Sequence, residues 1–175
     1  MSDQAISNVH LPDDLLCAIG HVAALWAQLE YIIDSATREA LDRPQAPELD
    51  TALILPFRKR AELFAELTAA VFPKGDRLRA QMHQISTDAK RLQHQRDLIV
   101  HGSVAGSRVE QKGTATYTFR RIRWDRPVRV LERRSLSVKD IELIALEISD
   151  MVAIAGQYAI ISSLRASPSR NRGRR

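Results

Sequence analysis

Three residues with complementary chemistry lie close together in the run Arg96-Asp97-Leu98-Ile99-Val100-His101-Gly102. An arginine is always charged, and its fork of N–H donors matches the oxygens of a phosphate group. Histidine is the side chain that ordinarily exchanges protons near neutral pH, so it can serve as a general base or a general acid. An aspartate beside them can orient either group. Arg96, Asp97 and His101 are therefore the candidate catalytic residues, and phosphate ester chemistry is the reaction type that they suit.

A single long helix is expected to hold these three residues. The stretch from Asp76 to Val100 contains no glycine or proline, and its apolar residues recur at helical spacing. Arg96 falls within the apolar stripe of this helix, and a buried guanidinium needs a carboxylate partner. Glu30 and Asp34, at the border of the apolar face of the first helix, are the expected partners.

A second stripe of the same helix carries His94, Asp97 and His101, at offsets of three and four residues. Glu30 and His94 are therefore predicted as supporting residues of the site. Two histidines and a carboxylate can in principle hold a transition metal, but three ligands from one straight helix cannot converge on one ion. The sequence therefore predicts neither a metal site nor a cofactor.

Three further helices follow from the same periodicity. The first runs from Pro12 to about Leu41, and the second begins near Pro56 and ends at Pro73-Lys-Gly75. The last follows Ser137-Val-Lys-Asp140, which fits the capping-box pattern with aspartate in place of glutamate. The expected fold is mainly α: an up-and-down four-helix bundle forming one domain over residues 11–164. Residues 165–175, rich in arginine, serine and proline, are expected to form a basic disordered tail.

Between the third and fourth helices the pattern changes to the alternation of β-strands. Two strands are expected, one ending near Trp124 and one from Val128 to about Arg133, in an antiparallel β-insertion over about 103–135. Glycines 102, 106 and 113 are interpreted as turn residues. This insertion holds nine Lys/Arg residues against three acidic ones, and aromatic residues are interleaved with them. Such a composition is typical of a surface that stacks bases and neutralises phosphates. The candidate nucleic-acid-binding residues are Arg120, Arg121, Arg123 and Trp124.

Two other interpretations of the insertion remain open. The arginines can keep an exposed strand edge from aggregating, and the aromatic residues can pack onto the bundle. The charge of the whole chain nevertheless favours an acidic partner, because residues 1–100 have a net charge of −3 and residues 101–175 one of +8.

Composition excludes several classes of protein. A chain of 175 residues with 45% apolar and 27% charged residues is long enough to bury a core and is not disordered throughout. The single cysteine, Cys17, cannot form an internal disulfide or a cysteine-rich zinc site. The start Met1-Ser2-Asp3 lacks the basic region of a signal peptide. Of the two apolar runs in the chain, one is too short to span a bilayer and the other carries acidic residues. A cytoplasmic protein without membrane contact is expected.

The motif resembles that of the HEPN superfamily (higher eukaryotes and prokaryotes nucleotide-binding), whose signature is an arginine, a polar residue and, after four to six intervening residues, a histidine. Here four residues intervene between Arg96 and His101, near the end of the third long helix. The segment Trp26-Ala-Gln-Leu-Glu30 is also similar to the first helix of such domains. The resemblance covers the helical part of the chain and leaves out the β-insertion and the tail.

The resemblance implies a homodimer in which two such motifs meet in a shared cleft. It further implies a metal-independent endoribonuclease acting on RNA, with a role in toxin–antitoxin or defence systems and an antitoxin protein as a possible partner. Active members commonly carry asparagine or histidine after the arginine, whereas this chain has Asp97. The alternative is therefore a catalytically inactive bundle that binds RNA, a nucleotide or a partner protein.

Overall fold

The structure is a computed structural model that describes residues 11–41, 55–109, 114–125 and 127–166. Within these ranges there are four helices and three strands, and the predicted mainly α fold with a β-insertion between the third and fourth helices is confirmed. In chain order the elements are α1 (Asp13–Leu41), α2 (Phe57–Val71), α3 (Arg77–His101), β1 (Ser103–Val109), β2 (Ala115–Asp125), β3 (Val128–Ser137) and α4 (Val138–Ala166).

The core of the bundle is centred on α1, which packs against the other three helices. Trp26 of α1 is fully buried and meets the ring of Phe57 of α2 edge-on, with centroids 4.9 Å apart. Phe64 of α2 and Phe72, which directly follows α2, both contact the ring of Tyr158 of α4. Burying these large aromatic side chains removes much apolar area from water, so they stabilise the helix packing.

The helix ends follow the sequence signals. Asp76 caps α3 by accepting a hydrogen bond from the N–H of Leu78 at 2.8 Å. The predicted capping box before α4 is present: Asp140 accepts the N–H of Ser137 at 2.8 Å, and the Ser137 hydroxyl accepts the N–H of Asp140 at 3.2 Å. The Ser137 N–H bond, together with the bond that the Ser137 hydroxyl donates to the same carboxylate oxygen at 2.7 Å, lowers the pKa of Asp140.

The β-insertion has one strand more than the sequence predicts. Its three antiparallel strands lie in the order β1-β2-β3, and β1 follows α3 almost directly. The interpretation of Gly106 as a turn residue is wrong, because it lies inside β1 where the register with β2 shifts. A glycine inside a strand is tolerated at such an irregularity. Gly113 lies outside the described residues.

The predicted tail begins too early. Helix α4 continues through Arg165 and Ala166, and the remaining residues of the predicted tail lie outside the described part of the chain.

Helices α1 and α4 are long and apolar enough, by length and composition alone, to cross a membrane. Core helices of bundles satisfy the same criteria, and these two helices pack on each other in the core. The cytoplasmic location therefore stays a prediction.

The junction between α3 and β1 requires a glycine. A Cβ atom on Gly102 would lie 2.1 Å from the carbonyl oxygen of Leu98 and 3.1 Å from that of Arg120. Both are backbone atoms that cannot rotate away. We expect Gly102→Ala to lower the free energy of unfolding by about 1–3 kcal/mol, as overpacking does, when measured by denaturant titration.

Gly20 supplies the matched control for this substitution. It lies within α1, and a Cβ atom there would meet nothing within 4 Å. Gly20→Ala should stabilise the protein by about 0.5–1 kcal/mol, because alanine loses less backbone entropy in a helix. Equal stability changes for the two variants would contradict the tight junction at Gly102.

Candidate functional site

Arg96 is held in place by α1. Its Nη2 lies 3.5 Å from Oε1 of Glu30, and its guanidinium lies over the ring of Trp26, 5.2 Å from the centroid. Trp26 in turn donates its Nε1–H to the same Glu30 oxygen at 2.8 Å. The predicted partnership of Arg96 and Glu30 is thus present in the structure. Because Trp26 fixes Glu30 and Glu30 fixes Arg96, the guanidinium is preorganised before any ligand arrives.

Asp34, the other expected partner of Arg96, pairs with a residue that sequence reasoning missed. Its Oδ2 accepts a hydrogen bond from Nη1 of Arg60 in α2 at 3.1 Å. Nη2 of Arg60 also lies 3.9 Å from Oε2 of Glu30. Burial raises the pKa of Asp34, and the charge of Arg60 opposes that rise. The expectation for Asp34 is therefore wrong, because Arg60 provides the nearer guanidinium.

Asp97 joins the motif to the β-insertion. One carboxylate oxygen, Oδ1, accepts a hydrogen bond from Nη1 of Arg96 at 2.8 Å, and the other, Oδ2, lies 2.9 Å from Nη1 of Arg121 in β2. The negative charge that this chain carries next to its arginine is therefore balanced by two guanidinium groups. The pairing also brings a second arginine to the end of α3.

His101 is the last residue of α3, and its side chain is exposed. Its Nε2 lies 3.2 Å from Nη1 of Arg96. A guanidinium nitrogen can only donate, so Nε2 is the accepting nitrogen of this contact, and the proton of the neutral ring is on Nδ1. Asp97 and His101 therefore each contact the guanidinium of Arg96.

His94 contacts the β-insertion and lies apart from this group. Its Nε2 is 3.3 Å from Oε1 of Glu132 and 3.5 Å from Nη1 of Arg123. The expectation that His94 supports the catalytic residues is therefore wrong in its geometry. The stripe divides because His94 pairs with Arg123 of β2 and Glu132 of β3, whereas Asp97 and His101 pair with Arg96.

The arginines of the predicted binding surface lie on two faces of the sheet. Tyr117 and Phe119 are buried against the bundle, and Arg121 and Arg123 follow them on the same face and contact α3. Arg120 lies on the other face, where its Nε donates to the Ser103 hydroxyl at 3.1 Å. The expected single surface of interleaved aromatic and arginine residues is therefore wrong.

The alternation of side chains along β2 predicts that the arginines are divided between two faces. Phe119, Arg121 and Arg123 are two residues apart and therefore share one face, and Arg120 points to the other. Trp124 belongs to β2 and pairs through its backbone with Arg129, but its side chain lies outside the described part of the structure.

Arg120 and Arg121 nevertheless reach one common cavity beside the motif. An open cavity of about 580 Å³, which we call the edge pocket, adjoins the end of α3. It is lined by His101, Ser103, Arg120, Arg121, Ile122 and Leu131. Two guanidinium groups and an imidazole line it without any carboxylate, so the edge pocket suits an anionic ligand.

The described residues contain no group of three or more histidine, cysteine, aspartate or glutamate side chains placed to hold a metal ion. Comparison of the chain with models of known protein families, with curated proteins and with solved structures finds no match.

Proposed function

We propose that this chain is a HEPN-like, metal-independent endoribonuclease that acts through Arg96 and His101 in a cleft shared by two subunits. The observation that carries the proposal is the 3.2 Å contact between Nη1 of Arg96 and Nε2 of His101 at the exposed end of α3. This contact supports the proposal because a guanidinium held by Glu30 can bind a phosphate while an exposed imidazole beside it accepts a proton from the same nucleotide. The resemblance of the motif points to the same chemistry.

The reaction follows from these positions. Arg96 and Arg121 bind the oxygens of the scissile phosphate, which is a better acceptor for Arg96 than the imidazole that it now contacts. Nε2 of His101, released from that contact, takes the proton of the ribose 2′-hydroxyl as O2′ bonds to phosphorus and the bond to O5′ breaks. The departing O5′ takes a proton from the imidazolium form of His101 of the partner subunit, so that one histidine ends protonated and the other neutral. The products are a 2′,3′-cyclic phosphate and a 5′-hydroxyl.

One observation favours the alternative of a binding module. The carboxylate of Asp97 already occupies a donor of Arg96 and one of Arg121. An RNA phosphate must compete with it, and a site in which the carboxylate keeps both arginines would bind RNA without cleaving it. In that case Asp97→Asn would raise RNA affinity without producing cleavage.

Cleavage of end-labelled RNA by the purified protein tests the proposal. We expect cleavage to persist in excess EDTA, and to stop when the nucleotide before the cleaved bond carries a 2′-deoxy or 2′-O-methyl sugar. Intact RNA after prolonged incubation, with RNA still bound, would replace the nuclease by the binding module. Cleavage of the 2′-deoxy substrate would exclude the 2′-hydroxyl as nucleophile.

We further propose that the protein is a homodimer and acts as a toxin or defence component, controlled by an antitoxin protein. Light scattering at tens of micromolar should give twice the mass of one chain. A monomer under these conditions would contradict the shared cleft.

Salt dependence tests whether Arg120 and Arg121 contact phosphates. Neutralising both as Arg120→Gln and Arg121→Gln should reduce the slope of log affinity for single-stranded RNA against log salt by about 1.4, since each phosphate contact contributes about 0.7. The matched control is Arg133→Gln with Arg134→Gln, which removes the same charge from exposed positions of β3 outside the edge pocket. Equal changes in slope would show that only net charge matters.

A further inference from the structure

The edge pocket combines polar side chains with apolar ones, and the proposed cleavage step uses only Arg121 and His101 of them. Its lining includes the guanidinium groups of Arg120 and Arg121 and, beside them, the aliphatic side chains of Ile122 and Leu131. These two residues face each other across β2 and β3, and their side chains are 62% and 48% exposed. Two large aliphatic side chains left in water beside two guanidinium groups and an imidazole form a surface that is apolar in one part and anion-binding in the other.

Strand pairing leaves the pocket open on one side. β1 pairs with β2 only as far as Arg120, whereas β3 pairs with β2 as far as Asp125. In the described residues, Arg121 and Ile122 therefore have no neighbouring strand on the β1 side, which is the side where His101 lies. Backbone N–H and C=O groups at such an edge can form hydrogen bonds with a ligand.

We propose that the edge pocket binds the nucleoside adjoining the scissile phosphate, with its base lying on Ile122 and Leu131. The phosphate is held by Arg96 and Arg121, as in the proposed cleavage step, with His101 at the ribose 2′-hydroxyl, and Arg120 lies beside the sugar–phosphate backbone. A base has an apolar face and a polar edge, which match the aliphatic pair and the open edge of β2. The cavity of about 580 Å³ is large enough for one nucleotide.

This arrangement defines the substrate class as unpaired RNA. A base within a duplex is stacked and paired on both sides, so it cannot lie on the sheet. The proposal rests on the proposed function for the position of the phosphate, but binding in the pocket does not require cleavage. The proposed nuclease activity and the proposed nucleoside-binding pocket can therefore be refuted independently of each other.

Binding of an uncleavable ligand tests the pocket. The probes are a single-stranded 2′-O-methyl oligonucleotide, the same strand in a duplex, and inorganic phosphate, each titrated into the full-length protein. We expect the single strand to bind more tightly than the duplex. The double variant Ile122→Thr with Leu131→Thr should lose about tenfold in affinity for the single strand, equivalent to about 1.4 kcal/mol. Its affinity for phosphate should be unchanged.

The control is Val128→Thr, which alters an exposed aliphatic side chain of β3 outside the pocket. Threonine keeps the strand preference at all three positions, and circular dichroism checks the fold. Equal losses in the control and the double variant, or tighter binding of the duplex, would overturn the proposal. A change of oligomeric state in the double variant would also overturn it and assign the aliphatic pair to a contact with a second copy. If the double variant loses affinity as expected but the wild-type protein never cleaves RNA, the proposed nuclease activity is refuted and the proposed nucleoside-binding pocket is supported.

Discussion

Replacing His101 by alanine should slow RNA cleavage by about 10²–10⁴-fold, the contribution typical of a general acid–base residue. The side chain is exposed at the end of α3 and its described contact is with Arg96, so its removal leaves the core unchanged. We therefore expect the free energy of unfolding to change by less than about 0.5 kcal/mol. Cleavage is measured as the initial rate on an end-labelled single strand, and stability by denaturant titration.

His94→Ala is the matched control for this variant. His94 lies on the same helix and is also exposed, but it contacts Glu132 and Arg123 rather than the motif. Its replacement should leave the rate of cleavage within about twofold of wild type, as expected for a surface change. If both histidine variants cleave at the wild-type rate, His101 does not take part in the reaction. If both are equally slow, the loss comes from the helix surface and not from the imidazole of His101.

Replacing Arg96 by alanine should remove both cleavage and part of the stability. The phosphate loses its anchored guanidinium, and loss of such an electrostatic contact slows reactions by about 10²–10³-fold. The change also takes a cation from Glu30 and Asp97, which are half-buried. We expect the free energy of unfolding to fall by about 1–3 kcal/mol, because these carboxylates are left with fewer partners.

Arg60→Ala separates these two effects. Arg60 shares Glu30 with Arg96 and also binds Asp34, but the described contacts do not link it to His101. The Arg60→Ala variant should therefore lose about as much free energy of unfolding as Arg96→Ala does. It should cleave RNA at the wild-type rate when it is assayed at a temperature where it is folded. A loss of cleavage equal to that of Arg96→Ala would mean that Arg96 acts only by holding the bundle together. Arg96→Lys adds a second check, because lysine keeps the charge and loses the forked geometry.

Local sequence pattern was sufficient for the helices and for part of the site. Apolar spacing placed α1 and α3 to within a residue or two, since a helix repeats its buried face every 3.6 residues or so whatever lies across from it. The capping box at Ser137 and Asp140 is equally local. The same arithmetic put Arg96 on the buried face of α3 and Glu30 at the edge of α1, which made their partnership predictable.

Strand β1 was missed for a physical reason. Its burial pattern is almost entirely exposed, and it contains Gly106, so it lacks the alternation that marks a strand with one buried face. It is a strand because β2 lies beside it and pairs with its backbone. Backbone pairing depends on a partner distant in sequence and leaves no period in the side chains.

Partner choice among the charged groups was decided only by the tertiary structure. Asp97 meets Arg121, and Asp34 meets Arg60, across separations of more than twenty residues. An ion pair of this kind forms where two elements pack, and the composition of either segment says only that a charge is present. The insertion was predicted to be basic, but whether each arginine turned towards α3 or towards solvent depended on how the sheet lies on the bundle. Burial of Tyr117 and Phe119 fixes that orientation. As a result Arg121 contacts Asp97 on the α3 side, whereas Arg120 and Ile122 lie on the other face, and all three line the edge pocket.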